Sequence, residues 1–174
     1  MKKVTLYIAA SLDGFIARPN GDTSWLHDKS FTLPGEDFGY STFLQGVDTT
    51  LMGNSTYKAI LGFDIPFPYP DKKNYVFSRS YHEDTEHVQF VQEQAVEFVQ
   101  QLKQQTGKGI WLIGGGQINT LLLNEGLVDE IILTYVPVIL GSGITLFAHG
   151  VQEKKLRVVN SLNFSNGFVQ LVMQ

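Results

Sequence analysis

The stretch Ile110-Trp111-Leu112-Ile113-Gly114-Gly115-Gly116-Gln117-Ile118 decides how the rest of the chain is read. Gly109–Ile113 is β-branched and aromatic, which suits a strand. It runs directly into a glycine triplet. Ile118, Leu121, Leu122 and Glu125 then trace one helical face, closed by Gly126. Upstream, Ala95, Phe98, Val99 and Leu102 recur at helical spacing, which predicts an amphipathic helix over Glu93–Gln104. Downstream, Glu130–Val136 is a strand stopped by Pro137. Further out, Val4–Ala9, Thr49–Met52, Asn74–Ser78 and Val88–Val91 read as strands, and Glu36–Gln45 and Asn54–Ile60 as helices. Phe63–Asp71 carries three prolines and reads as loop. Arg157–Phe164 and Phe168–Met173 flank Asn166-Gly167, a strong hairpin signal. Alternating strands and helices imply a parallel sheet with crossover helices, and the closing hairpin implies an antiparallel edge. The expected architecture is a mixed, mostly parallel α/β sheet flanked by helices.

Composition bounds the function. The 174 residues are 43% hydrophobic and 17% charged, a globular balance expected to form one domain over residues 1–174. Cysteine is absent, which excludes disulfides, thiolate zinc sites, iron–sulfur clusters and cysteine nucleophiles. Net charge is −4 and the basic residues are scattered, against a nucleic-acid partner. Met1-Lys2-Lys3 and the run that follows are too short and polar for a secretory leader, and no stretch suits a membrane span, so a cytoplasmic protein is expected. No metal site is expected. His82-Glu83-Asp84-Thr85-Glu86-His87 lacks the helical spacing of a zinc motif and reads as a solvated loop.

Three strand ends carry candidate binding chemistry. At Gly114, Gly115 and Gly116, with Gln117 and Ile118, missing side chains and a helix start expose unpaired N–H groups that suit a phosphate or diphosphate. The alternative is a tight turn that needs glycine for packing. Asn119 stands where the dinucleotide fingerprint would place its third glycine. Gly53-Asn54-Ser55-Thr56 repeats the strand–glycine–helix order, with plain N-capping as the competing account. Ser78-Arg79-Ser80 sets one guanidinium between two hydroxyls, a fork suited to a phosphate monoester unless it is simply solvated.

In order and approximate spacing, these three stretches resemble the dihydrofolate reductase superfamily, as do Ala9–Ala17 and Trp25. With Gly126–Glu130 and Pro137–Gly143, the chain is most similar to the branch holding the reductase domain of the bifunctional riboflavin biosynthesis deaminase-reductase. The resemblance implies a dihydrofolate reductase-like fold and an NADPH-dependent oxidoreductase akin to 5-amino-6-(5-phosphoribosylamino)uracil reductase or dihydrofolate reductase. Such an enzyme passes hydride to a pyrimidine, pterin or related small molecule. It places the diphosphate on Gly114–Ile118, further cofactor support on Gly53–Thr56, and the adenosine 2′-phosphate at Ser78, Arg79 and Ser80. Many relatives are basic where Asn54 stands. Where the riboflavin reductases follow Ser-Leu-Asp-Gly with lysine, this chain has Phe15. The family's substrate-binding acid falls at Asp37, the candidate catalytic residue, for which a helix-start role is the alternative. The resemblance also implies a homodimer, expected through the hairpin Arg157–Met173. The alternative function is a non-catalytic, regulatory nucleotide-binding module on the same fold.

Overall fold

A computed structural model describes residues 1–63, 65–92 and 94–174. The chain runs β1 (Val4–Ser11), β2 (Phe15–Ala17), α1 (Tyr40–Gln45), β3 (Val47–Gly53), α2 (Asn54–Leu61), β4 (Lys73–Phe77) and β5 (Val88–Val91). It continues with α3 (Ala95–Gln104), β6 (Gly109–Gly114), α4 (Gly116–Asn124), β7 (Glu130–Val136), β8 (Ile144–Thr145), β9 (Val158–Asn163) and β10 (Val169–Met173). Eight strands form one sheet in the order β5-β4-β3-β6-β1-β7-β10-β9, and β2 pairs with β8 apart from it. From β5 to β7 every pairing is parallel, whereas β10 is antiparallel to both β7 and β9.

Both faces of the parallel region are covered, which is why β1 is apolar along nearly its whole length. Val4, Leu6, Leu51, Ile110, Leu112, Ile131 and Leu133 form a core with Val99 and Leu102 of α3 and Leu122 and Leu123 of α4. The alternate residues point the other way. Met52 and Val76 pack with Tyr57 and Ile60 of α2, while Tyr7 and Trp111 meet Phe43 of α1 with ring centroids 4.6 and 5.7 Å away. A third cluster gathers Trp25, Val136 and Phe168 under the long loop after β2.

The expected mixed α/β architecture with its C-terminal antiparallel pair is the observed one. Val88–Val91 and Glu130–Val136 match their strands end to end. Two differences have local causes, and one expectation falls partly on a residue outside those described. The helix expected over Glu36–Gln45 begins only at Tyr40, because Phe38 and Gly39 are left-handed at φ of 57° and 81°. The helix expected from Glu93 is described from Ala95, and Glu93 itself lies outside the described residues. The β2–β8 pair joins two segments where no strand was expected, since its strands are three and two residues long and too short for any periodic signal.

Candidate functional site

β3 and β6 lie side by side, yet the chain leaves them in opposite directions. From β3 it passes through α2 to β4 on one side, and from β6 through α4 to β7, which lies beyond β1 on the other. Such a reversal opens a crevice at the carboxyl ends of the two strands, the usual ligand position in an open α/β sheet. The starts of α2 and α4 flank that crevice from opposite faces. Gly53 and Gly114 end their strands close together: a Cβ on Gly53 would lie 3.9 Å from the carbonyl oxygen of Gly114 and 4.0 Å from Ile118. The Gly115 amide donates to the Thr56 hydroxyl at 3.0 Å, tying the two turns together. β4 adjoins β3, and Phe77 pairs in register with Gly53, so Ser78-Arg79-Ser80 emerges at the same edge. The three stretches picked out in the sequence thus come from the carboxyl ends of three neighbouring strands.

Within this edge the glycines divide their roles. The amides of Gly116, Gln117 and Ile118 donate to no acceptor among the described residues, leaving the positive end of α4 available to an anion. Gly114 has φ +119°, a conformation few side chains adopt. Gly116 is a packing glycine as well, because a Cβ there would collide with the carbonyl oxygen of Thr145. Asn119 is fully buried and donates through Nδ2 to the Leu146 carbonyl at 2.9 Å, while its Oδ1 has no partner among the described residues. The Thr120 hydroxyl accepts from the Ala148 amide at 2.8 Å, and Asn124 bonds Gly150 and Gln152. The polar flank of α4 therefore fastens the 144–152 loop beside the site. The spacing of Asn119, Thr120 and Asn124 could have hinted at this, but their loop partners could not be named from sequence.

The remaining candidates are placed as follows. Asn54 is half-buried and Ser55 exposed at the start of α2. Ser78 is buried, and its hydroxyl oxygen accepts from the Ser80 amide at 3.2 Å. Arg79 and Ser80 are exposed, and Arg79 makes no ion pair among the described residues. Asp37 is exposed outside α1, where its carboxylate accepts from the amides of Gly39 and Ser41, both at 2.9 Å. Hydrogen bonds from Ser41 and then Gly39 hold that carboxyl below its ordinary range, the reverse of what a proton donor needs. The geometry supports the helix-start role for Asp37 and not a buried substrate acid. Asp13 shapes the first turn: it accepts from the Ser11 hydroxyl at 2.6 Å and from the Leu140 and Gly141 amides at 3.1 and 2.7 Å.

The segment His82–His87 is the expected loop, exposed over Glu83–Glu86, with both histidines half-buried. His82 stacks on Phe90 at 4.8 Å and meets Asn54 at 3.3 Å, and His87 lies flat against Phe67 at 5.3 Å. Adjacent to Ser80, a cavity of about 500 Å³ opens between this loop and β5. Among the described residues, no group of three or more His, Asp or Glu side chains could hold a metal.

The fold and this edge of the sheet define a reductase-like α/β domain, and comparison with known proteins agrees. The model of the RibD C-terminal domain family matches residues 2–170, and the chain belongs to that family. It is 44% identical over 173 residues to the Bacillus subtilis protein YwjB, covering 98% of this chain and 96% of that one. To YyaP of the same organism it is 37% identical over 183 residues, covering 98% and 94%. A putative riboflavin biosynthesis protein from Shewanella sp. PV-4 superimposes with a TM-score of 0.87 at 30% identity, covering 99% of this chain and 98% of that one. The Thermotoga maritima diaminohydroxyphosphoribosylaminopyrimidine deaminase/5-amino-6-(5-phosphoribosylamino)uracil reductase gives 0.72 at 21% identity. The alignment covers 99% of this chain but 56% of that one, so this second likeness is one of fold.

Proposed function

We propose that this chain is an NADPH-dependent reductase acting on a small heterocyclic substrate of the pyrimidine or pterin kind. The observation that carries the reading is the convergence of two helix starts and the strand end that bears Arg79, which makes no ion pair among the described residues, at the point where the sheet's connections diverge. The donor set fits a dinucleotide phosphate. Gly116, Gln117 and Ile118 would hold the diphosphate through their amides, Ser55 and Ser80 would add hydroxyl donors, and Arg79 would take the 2′-phosphate through its fork. When bound, NADPH supplies the hydride. The chain's own contribution is position and charge. Gly114 and Gly115 let the backbone approach closely, Thr56 fixes the Gly115 amide, and Asp13 with Asn119 holds the neighbouring loops in place.

No carboxylate is assigned as proton donor, and the Asp37 carboxylate is taken up by the Gly39 and Ser41 amides at the start of α1. That observation favours a second reading, a nucleotide-binding module without turnover. Two measurements separate them. Calorimetry with NADPH and NADH tests the coenzyme site, with tighter binding of NADPH expected. NADPH oxidation screened against ribitylaminouracil precursors, pterins and simple carbonyls tests turnover; binding without oxidation in any arm supports the module.

A homodimer is part of the same proposal. Every residue of β9 is exposed, including Val158 at 53%, Val159 at 43% and Leu162 at 44%, and β9 ends the sheet with an unpaired edge. Sedimentation of the intact protein and of Val159→Lys tests it, with the variant expected to be monomeric. The lack of cysteine suits a cytoplasmic setting.

A further inference from the structure

The sheet splits between its two central strands. β1 pairs with β6 only from Val4 to Leu6, yet it stays paired with β7 as far as Ser11, while β6 stays paired with β3 as far as Gly114. Just beyond the last shared pair, the Tyr7 carbonyl is taken up by the Trp111 indole at 3.1 Å. Further along, Ala9 and Ile113 are only half-buried, although both belong to the middle of an eight-stranded sheet. Ile113 packs toward Met52 and Tyr57, and Ala9 toward Trp25 and Phe38. The split is therefore a slot with apolar walls and an aromatic floor of Tyr7, Phe43 and Trp111.

We infer that the compound reduced by this chain is an uncharged heterocycle without a phosphate, received in the slot between β6 and β1. The inference rests on the coenzyme reading above and narrows its substrate. A dinucleotide with its 2′-phosphate at Arg79 and its diphosphate at the start of α4 runs along the order β4, β3, β6, β1, and so brings its far ring to the slot. A phosphate on the substrate would need a cation or a fan of free amides there, and the surroundings offer the opposite charge. Residues 11–45, which leave β1 and fold back over the slot, carry five carboxylates against two cations. Glu36 and Asp37 stand above the floor, because the Phe38 carbonyl accepts from the Tyr7 hydroxyl at 2.9 Å and from the Gln170 amide at 3.1 Å. Burial above all, and with it the charges of Asp37 and Glu36, pushes that hydroxyl up to about 12. Of the two cations, Arg18 is paired with Asp22 and donates to Ser24, and Lys29 is exposed beside Asp28. His27 is exposed on the other side of Asp28. The remaining Lys and Arg residues lie elsewhere. Arg79 follows β4 and Lys58 is on α2. The rest stand at the amino ends of the strands, or on the segment from Gln152 to Arg157 that Asn124 and Gln174 hold at that same end. The two residues outside those described, Asp64 and Glu93, are acids, so no cation is missing from the comparison. What the slot does offer is flat apolar surface, which suits an uncharged ring.

The test compares matched pairs of compounds by calorimetry on the intact protein, with and without saturating NADP⁺. One pair is 5-amino-6-(5-phosphoribosylamino)uracil and the same compound without its phosphate; the other is dihydroneopterin phosphate and dihydroneopterin. NADPH oxidation is followed with each. In whichever pair binds, the unphosphorylated member is expected to bind about ten-fold more tightly and to be reduced faster. The gap should narrow in about 0.5 M salt. Glu36→Gln keeps an acceptor for the Phe38 amide while removing the charge, so at low salt it should tighten the phosphorylated member about two-fold and leave the other unchanged. A gap under about three-fold, a gap that favours phosphate, or one that either salt or Glu36→Gln fails to narrow overturns the inference and leaves the coenzyme site standing. Binding of neither member of either pair overturns the inference together with the pyrimidine or pterin reading. Failure to bind either NADPH or NADH overturns the reductase itself.

Discussion

The two ends of the sheet use similar side chains to opposite ends. At the amino ends of the strands, charges close on one another. Lys2 pairs with Asp48 and donates to the Thr49 hydroxyl at 2.6 Å, Lys3 pairs with Glu130 at 2.5 Å, and Lys103 pairs with Asp129. Lys72 donates to the carbonyls of Leu44 and Val47 at 3.1 and 3.2 Å. A cavity of about 470 Å³ exists there too, but Asp48 and Lys72 on its wall already have partners within the protein. At the carboxyl ends of β4, β3 and β6, Arg79 is exposed without an ionic partner and three amides lack acceptors, among the described residues. A paired charge holds the fold; an unpaired donor at a fixed position can hold something else. Charge alone does not mark a site, and what distinguishes one is the donor left over once the fold is satisfied.

The largest expected effect breaks the closed end. Asp48→Ala would leave Lys2, with 3% of its side chain exposed, without its anion. Loss of a partner from a sealed pair costs about 3–5 kcal/mol, and water reaching Asp48 reduces this to about 2–3 kcal/mol. Urea denaturation should show that loss while NADPH affinity stays within two-fold. Arg79→Ala should do the reverse: about 10- to 100-fold weaker NADPH, as expected for losing a hydrogen-bonded charge, a smaller loss for NADH and an unchanged melting temperature. Equal losses for the two coenzymes would remove Arg79 from the 2′-phosphate.

Gly116→Ala sharpens the comparison, since it lies at the open end yet meets the Thr145 carbonyl. Crowding of this kind costs about 1–3 kcal/mol, so stability and coenzyme binding should fall together, and either one falling alone would separate the packing role from the binding role. The smallest effect concerns acid. Burial raises the Asp48 carboxyl, but hydrogen bonds from Lys2, Thr49 and the Lys108 amide outweigh it and hold it below the usual carboxylate range. A depressed folded value means stability that is present above the ordinary aspartate value, about 3.9, and is lost as pH falls through the folded one. The stability gap between wild type and Asp48→Ala should therefore narrow as the pH drops below about 4, and a gap that holds constant would deny the coupling.

Much of this protein is readable residue by residue, for a physical reason. The period of apolar side chains is local, so β7 and α3 follow from patterns such as Ala95, Phe98, Val99 and Leu102. Cap chemistry is also local but harder to rank. Asp37 looked like both a helix-start acid and a substrate acid, and only the left-handed Phe38 and Gly39 beside it show why the helix stops short and the carboxylate stays outside. Asp13 shapes a turn within its own segment, yet its bonds to Leu140 and Gly141 span more than a hundred residues of chain.

By itself, the sequence determined the order of the main-sheet strands and the helices, the glycine turns, the antiparallel close and the family, because these depend on side-chain periodicity, backbone freedom and residues near one another in the chain. Only the tertiary structure decided that β4, β3 and β6 are neighbours, that Gly116 serves a loop as well as a helix start, and that His82 reaches Asn54. Those facts depend on which surfaces bury one another across long separations, and no local pattern encodes that.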